Sequence, residues 1–167
     1  MLRTPIALCG GALLLAIIAS APAQADELPL RKAGLWEVKQ TFSMAPSMSS
    51  RQCTDETVDK MMTGIMLVER DLVCSKRDIR KTATGYVMDL ECGQLTWHFE
   101  YKGDFSSAYV MTQTTKGKGK MTGLEETATL EAKWLGVCTG DLKPGDIIDM
   151  SDGTKMNAME FFSGPPK

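Results

Sequence analysis

Cysteine is the residue type with the most specific chemistry in this 167-residue chain, which contains five of them. Cys9 lies near the amino terminus, and the others are Cys53, Cys74, Cys92 and Cys138. In an oxidising compartment four cysteines form two disulfides, and three connectivities are available. Bridges between neighbours in chain order would join segments that flank predicted strands, so we favour Cys53–Cys74 and Cys92–Cys138. A four-cysteine zinc site is the alternative, but the spacings contain no Cys-x₂-Cys pair.

Histidine, the commonest general base of enzymes, occurs once, at His98. Its place in an alternating segment puts it on a polar strand face beside Glu100. Asp89 and Glu91 could oppose Glu100 as paired carboxylates, but the solvated face of any half-buried sheet carries such residues. The chain contains no Gly-x-Ser-x-Gly motif, and bridged cysteines leave no thiolate nucleophile. These observations predict a protein that is not an enzyme and needs no cofactor.

Methionine is unusually frequent, with 12 residues, most of them in clusters. Thioethers are soft ligands that suit Cu(I), whereas flexible methionine side chains also fill irregular core gaps. No histidine joins the clusters, and one cluster falls partly on the apolar stripe of a predicted helix, so we prefer core filling. Cu(I) binding or oxidant buffering through Met44 and Met48 is the alternative function. The clusters are Met44 and Met48; Met61, Met62 and Met66; and Met150, Met156 and Met159.

The three tryptophans, Trp36, Trp97 and Trp134, all fall on predicted inward strand faces, as does Phe99. Large aromatic side chains on the inner face of a β-barrel can line a cavity for a hydrophobic ligand. They can equally fill the core of a domain that has few other large side chains. Both interpretations stay open at this stage: a ligand cavity lined by these four residues, or a solid core built from them.

The segments that would position these side chains alternate apolar and polar residues, with the period of two that is typical of half-buried strands. In the first segment the apolar positions begin at Trp36, and Gln40 is the one exception. A helix is predicted after Thr54, a suitable N-cap, because apolar residues recur at helical spacing up to Met66. A second helix is predicted over 154–162. The alternating segments are 34–44, 86–92, 95–102 and 126–134, and 108–115 is a further run of residues with high β propensity.

The order of these elements predicts a mainly all-β fold. We expect an antiparallel meander that forms a curved sheet or a lipocalin-like barrel, because consecutive strands have short connections. One short helix follows the second strand, and a short C-terminal helix or tail ends the chain. A length of 167 residues accommodates one such domain, which we place at 26–140. Residues 141–167 are rich in turn signals and are predicted to form a loosely packed tail.

The first 25 residues have the features of a cleavable signal peptide. Arg3 supplies a positive charge, an apolar run follows, and Ala23-Gln24-Ala25 matches the small-x-small cleavage pattern. The run is shorter than the ~20 apolar residues of a membrane-spanning helix. We therefore predict cleavage after Ala25, export to the periplasm and no stable membrane anchor afterwards. The formal net charge of −2 provides no basic surface for nucleic acid.

Several of these features together resemble a large bacterial family of small exported domains of unknown function. The family carries a Gly-Leu-Trp-Glu signature on its first strand, matched here by Gly34-Leu35-Trp36-Glu37. The resemblance continues through Arg51-Gln52-Cys53-Thr54 and the later cysteines, and covers about residues 32–138. It implies periplasmic placement and the cysteine framework, but no activity. We therefore expect a non-catalytic envelope-accessory or binding module, with a small hydrophobic ligand as the partner that the inward aromatic residues would suit.

Overall fold

The computed structural model describes residues 27–67 and 74–163. The predicted signal peptide, 1–25, lies outside these residues. The described segments form one antiparallel β-sheet and two short α-helices. Neither helix in this part of the chain is long and apolar enough to cross a membrane.

Nine strands lie within the described residues, and their order across the sheet is β3-β4-β5-β6-β7-β1-β2-β8-β9. Strands β3 to β7 form a meander, and β1 lies in the middle of the sheet between β7 and β2. Since β3 and β9 are separate edges, the mainly antiparallel β fold is confirmed as an open sheet rather than a closed barrel. The elements are β1 (Gly34–Phe42), β2 (Met48–Thr54), α1 (Glu56–Leu67), β3 (Cys74–Lys81), β4 (Gly85–Cys92), β5 (Leu95–Asp104), β6 (Ala108–Gly117), a 3-10 turn (Gly119–Met121), β7 (Glu125–Gly136), β8 (Asp146–Asp149), β9 (Lys155–Asn157) and α2 (Ala158–Ser163).

The alternating pattern places the apolar side chains on one face of this sheet, as predicted. On β1, Trp36 and Val38 are buried, whereas Glu37 and Lys39 are exposed. Trp36 lies opposite Trp134 of β7, so the apolar positions of neighbouring strands are in register. The buried core that results consists of Leu28, Trp36, Val38, Ile79, Met88, Leu90, Cys92, Phe99, Met111, Leu130 and Ala132.

Helix α1 begins later than the predicted cap implies. The Val58 amide donates a hydrogen bond to the Asp55 side chain at 2.8 Å, so Asp55 rather than Thr54 is the N-cap. Thr54 cannot serve as the cap because its backbone still pairs with β1 as the last residue of β2. The helix then carries Asp59 and Met62 over the apolar face of the sheet, where both border a cavity.

The C-terminal segment extends the sheet, which corrects the prediction of a loosely packed tail over 141–167. Strand β8 pairs with β2, and β9 pairs with β8. Asp146, at the start of β8, is only 1% exposed. The second helix, predicted over 154–162, begins at Ala158 because the residues before it pair as β9. Residues 164–167 lie outside the described part of the chain.

Two disulfides are present, but they join Cys53 to Cys138 and Cys74 to Cys92. Cys74 and Cys92 are cross-strand partners on β3 and β4. Cys53 lies opposite Leu35 of β1, and the other side of Leu35 is paired with the end of β7, close to Cys138. The predicted Cys53–Cys74 and Cys92–Cys138 bridges are therefore wrong, because the sheet brings together cysteines that are not neighbours in chain order.

Candidate ligand-binding cavity

A cavity of about 420 Å³ lies over the apolar face of the sheet. Every strand except β3 and β4 contributes side chains to its wall, so the sheet curves around it. The segment before β1 and helix α1 cover the cavity from the other side. Its volume falls within the range of small-molecule sites, which is about 300–1,000 Å³.

The inner part of the cavity is aromatic, and its mouth carries methionine. Phe105 stacks on Tyr109 with ring centroids 4.6 Å apart, and Tyr101 lies 5.9 Å from Phe105. Burial raises the pKa of both tyrosines above the ordinary 10.0, so both phenols are neutral. At the mouth, Met48 is 54% and Met156 is 56% exposed. The wall is therefore mainly apolar, with uncharged hydroxyl groups inside it.

One part of the wall is polar and is organised by Arg31. Its Nε donates to Asp59 Oδ1 at 2.5 Å, and its backbone amide donates to the other carboxylate oxygen at 2.6 Å. Arg31 Nη1 donates to Gln52 Oε1 at 3.1 Å, and Gln52 Nε2 donates to Ser50 Oγ at 3.2 Å. The side chains of Arg31 and Asp59 are 9% and 2% exposed. This ion pair is buried, and its two charges neutralise each other inside the wall.

Gln40, the residue that interrupts the apolar alternation of β1, lines the cavity. It lies opposite Leu130 of β7, Leu130 is paired with Met111 of β6, and Met111 faces Tyr101 of β5. The four side chains form a row across four strands, with an amide at one end and a phenol at the other. Within the described part of the chain, the Gln40 amide has no hydrogen-bond partner. It is therefore available to a ligand.

The aromatic residues predicted to line a cavity lie elsewhere: Trp36, Trp97, Phe99 and Trp134 are all absent from this lining. Trp36 and Phe99 are buried in the core, 0% and 3% exposed, and the other two tryptophans pack against that core. The predicted inward phase of the strands is correct. The cavity, however, lies further along β5, at Tyr101, so the four predicted side chains contribute to the core instead.

The fold separates the two methionines predicted as alternative metal ligands. Met48 lies at the cavity mouth, whereas Met44 is 67% exposed and is not part of the lining. Met62 and Met156, from the other two sequence clusters, do line the cavity with Met48. The described residues contain no group of three or more histidine, cysteine, aspartate or glutamate side chains that could hold a metal ion.

His98 lies on the opposite face of the sheet, with 45% of its side chain exposed. Its Nδ1 is 2.7 Å from Asp89 Oδ1, and its Nε2 is 3.5 Å from Glu100 Oε1. Burial disfavours the Asp89 anion, but contacts with His98 and Arg80 outweigh it and lower the pKa of that carboxyl. Asp89 and Glu100 thus flank one imidazole instead of opposing each other as an acid–base pair.

Fold and cavity together define the class of this molecule: an antiparallel β protein, braced by two disulfides, whose open sheet curves around one candidate binding cavity. The chain belongs to the family described as a protein of unknown function (DUF3617), whose model matches residues 31–138. The match begins at Arg31 of the buried ion pair and ends at Cys138 of a disulfide. No curated protein and no solved structure matches the chain. Strands β8 and β9 follow the matched region and complete the cavity wall.

Proposed function

We propose that this protein is a non-catalytic binding module of the bacterial envelope that holds a small, mainly apolar ligand in the cavity. The observation that carries the proposal is the cavity of about 420 Å³, walled by the curved sheet and covered by α1 and the segment before β1. An apolar molecule gains free energy when such walls remove its surface from water. Met48 and Met156 lie at the mouth, where their flexible side chains can change conformation to admit ligands of different shape.

The positions of the reactive groups support a non-catalytic role. His98, the only histidine of the chain, lies on the face opposite to the cavity. The four cysteines of the described residues are bridged and supply no thiolate. Inside the cavity, Arg31 and Asp59 bind each other. We therefore infer that the cavity holds its ligand without transforming it.

We also infer that the chain is exported to the periplasm and cleaved after Ala25. Two disulfides support an oxidising compartment, and the first 25 residues have the sequence of an export signal. Protein purified from a periplasmic extract should have the intact mass of a chain that begins at Asp26, with both disulfides formed. A mass that still includes residues 1–25 would contradict the cleavage.

Binding of the uncharged fluorescent compound N-phenyl-1-naphthylamine tests the proposed function. We expect saturable binding with a micromolar Kd, which corresponds to about −8 kcal/mol. The variant Ser50→Phe fills the cavity from β2 and should abolish this binding. Its matched control, Thr41→Phe, places the same side chain on the exposed outer face of the neighbouring strand β1 and should leave binding intact. Absence of binding to the wild-type protein, or binding that survives Ser50→Phe, would refute the proposal.

Cu(I) binding is a second candidate, favoured by one observation. Met48, Met62 and Met156 come from three separate sequence clusters and line the same cavity, and thioether sulfur is a soft ligand that suits Cu(I). Native mass spectrometry with Ag(I), a redox-stable substitute, should then show one bound ion. Replacing Met48 and Met156 with leucine keeps the wall apolar, so it should remove silver but retain the naphthylamine. A wild-type protein that binds no silver eliminates this candidate.

A further inference from the structure

We propose that the ligand is an uncharged amphiphile, an apolar molecule with a neutral oxygen-containing group such as an alcohol, and that Gln40 recognises this group. The inference rests on the proposed binding function and specifies the chemical class of the ligand. It follows from the charges of the described lining residues, from the partners of Arg31, and from the position of the Gln40 amide, which has no partner among the described residues.

The charged groups in the lining disfavour an anion. The described lining residues carry one cation, Arg31, and two carboxylates, Asp59 and Asp149, which leaves a net charge of −1. Hydrogen bonds from the side chain and backbone amide of Ser151 lower the pKa of Asp149, so this carboxylate is ionised at neutral pH. A fatty acid or another organic anion would therefore enter a site that already carries excess negative charge.

Arg31 does not compensate for this excess, because its charge is already paired with the buried carboxylate of Asp59. Its Nε and backbone amide donate to Asp59, and its Nη1 donates to Gln52. The Arg31 side chain also hydrogen-bonds Tyr109, and only 9% of it is exposed. A ligand carboxylate would therefore compete for the Arg31 charge with a buried carboxylate that already lies 2.5 Å from Nε. Among the described lining residues there is thus no unpaired cation of the kind that recognises an anion.

Gln40 differs from Arg31 in two respects: its side chain is uncharged, and it has no hydrogen-bond partner among the described residues. Its amide carries both donors and an acceptor, and its cross-strand neighbours on the cavity face are apolar, Met48 on β2 and Leu130 on β7. A polar group without a partner in such surroundings is costly, so a ligand hydroxyl or carbonyl gains by meeting it. The apolar body of the ligand would then lie over Leu130 and Met111 toward Tyr101. At the ~4.8 Å spacing of strands, that row extends about 14 Å along the sheet.

Two ligands with the same ten-carbon chain, 1-decanol and decanoate, test the inference. We measure the concentration of each that displaces N-phenyl-1-naphthylamine at pH 7.5, and we expect decanol to act at a concentration at least tenfold lower. Gln40→Leu should raise the decanol concentration needed for displacement at least fivefold, and the fluorescent compound should still bind. The matched control is Gln113→Leu, a glutamine on the same face that binds Thr115 and lies outside the lining. This control substitution should leave the displacing concentrations of both decanol and decanoate unchanged.

Gln40→Arg tests the role of charge directly, since an added guanidinium should reverse the preference so that decanoate displaces better than decanol. Equal displacement by the two ligands in the wild-type protein would overturn the inference and leave the proposed function standing. The inference would also be overturned, with the proposed function left standing, if the Gln40 variants preferred decanol over decanoate as strongly as the wild-type protein does. If the wild-type protein does not bind the naphthylamine, decanol or decanoate, the proposed function itself fails, and the inference fails with it.

Discussion

The buried guanidinium of Arg31 and the carboxylate of Asp59 join two elements that are 28 residues apart in sequence. Arg31 belongs to the segment before β1, and Asp59 lies in the first half of α1. Because Asp59 also accepts a hydrogen bond from the Arg31 backbone amide, one carboxylate holds both the side chain and the main chain of a single residue. The two elements that cover the cavity are thereby attached to each other, so the shape of the cavity depends on this ion pair.

Removal of Asp59 should therefore be strongly destabilising. Asp59→Ala leaves the buried Arg31 charge without a partner, and loss of one partner of a buried ion pair costs about 3–5 kcal/mol. The free energy of unfolding from urea titrations measures the loss. Lys60→Ala on the same helix is the control, because the Lys60–Glu56 pair is solvent-exposed and should contribute little to stability. A loss for Asp59→Ala no larger than that of the control would contradict the role of the pair.

Replacement of both partners should be much less harmful than replacement of one. In the double variant Arg31→Met, Asp59→Leu, no buried charge is left unpaired, and such apolar exchanges are often neutral or even stabilising. We expect the double variant to recover most of the stability lost in Asp59→Ala, as measured by the same urea titrations. A double variant that is less stable than the single one would mean that hydrogen bonds to Gln52 and Tyr109, rather than charge pairing, dominate this wall.

The disulfide connectivity makes a direct prediction for thiol labelling. In Cys138→Ser, the cysteine that loses its partner is Cys53, so alkylation under denaturing, non-reducing conditions should label one thiol, at Cys53. Peptide mapping by mass spectrometry identifies the labelled residue. Labelling at Cys92 instead would support the connectivity predicted from the sequence and contradict the one in the structure.

The two bridges should also contribute unequally to stability. They span 85 and 18 residues, for which loop entropy predicts at most about 4.6 and about 3.2 kcal/mol. The double variant Cys53→Ser, Cys138→Ser should thus unfold at lower urea concentration than Cys74→Ser, Cys92→Ser. The reverse order would show that local packing around the edge strands β3 and β4 outweighs chain entropy.

The strands were predictable because their signal is local. A period of two identifies the buried face from a few consecutive residues, and Trp36 and Val38 of β1 point to the core as expected. The order of the strands is not a local property. That β1 lies between β7 and β2 depends on contacts over about a hundred residues, and the Cys53–Cys138 bridge follows from that order. The sequence alone therefore predicted the strands of the meander correctly, but not β8 and β9 and not the disulfide pairing.

The candidate site was only partly predictable for the same reason. Gln40 carried a signal, since it is the one polar residue among the inward positions of β1. Asp59 carried a weaker one, because it lies between Val58 and Met62 on a side of the helix that is otherwise apolar. Nothing in the surroundings of Arg31 indicates a partner 28 residues away, so the ion pair is not readable from one sequence.

Asp146 should make the C-terminal strands sensitive to acid. Burial opposes ionisation, but hydrogen bonds from the Lys143 amide, Asn157 and Lys155 outweigh it and lower the pKa of Asp146 from 3.8 to about 2. A folded-state pKa below the unfolded value means that the stabilisation is complete above about pH 4 and is lost as the pH falls toward 2. Asp146→Asn should be less stable than wild type at pH 7 and lose less further stability between pH 4 and pH 2.5.

The control for this pH dependence is Asp152→Asn, which changes an exposed carboxylate in the turn between β8 and β9. Urea titrations across the same pH series should give the control the wild-type slope. If Asp146→Asn and wild type lose equal stability between pH 4 and pH 2.5, the carboxylate of Asp146 does not stabilise the strands through its charge.

Gly34, the first residue of the Gly-Leu-Trp-Glu segment, should tolerate no side chain. Its φ is +135°, and a Cβ added there would lie 2.3 Å from the Gly136 carbonyl oxygen and 2.6 Å from Trp134 Nε1. Both contacts are far closer than real Cβ atoms allow, and one of them is to the backbone of the paired strand β7. The glycine thus permits β1 and β7 to approach each other where the Trp36–Trp134 pair begins.

The matched variants Gly34→Ala and Gly123→Ala separate steric conflict from backbone strain. Gly123 also has a positive φ, +98°, but an added Cβ would meet no atom within 4 Å. Both substitutions incur the cost of an unfavourable backbone conformation, about 1–3 kcal/mol each. Only Gly34→Ala adds an overpacking cost of about 1–3 kcal/mol, because β7 must move or the Trp134 indole must leave the Ala33 carbonyl to which it donates. Urea titrations should show this excess together with a change in tryptophan fluorescence, which Gly123→Ala should lack. Equal losses for the two variants would mean that β7 yields easily at this position and that the glycine is needed for its backbone conformation alone.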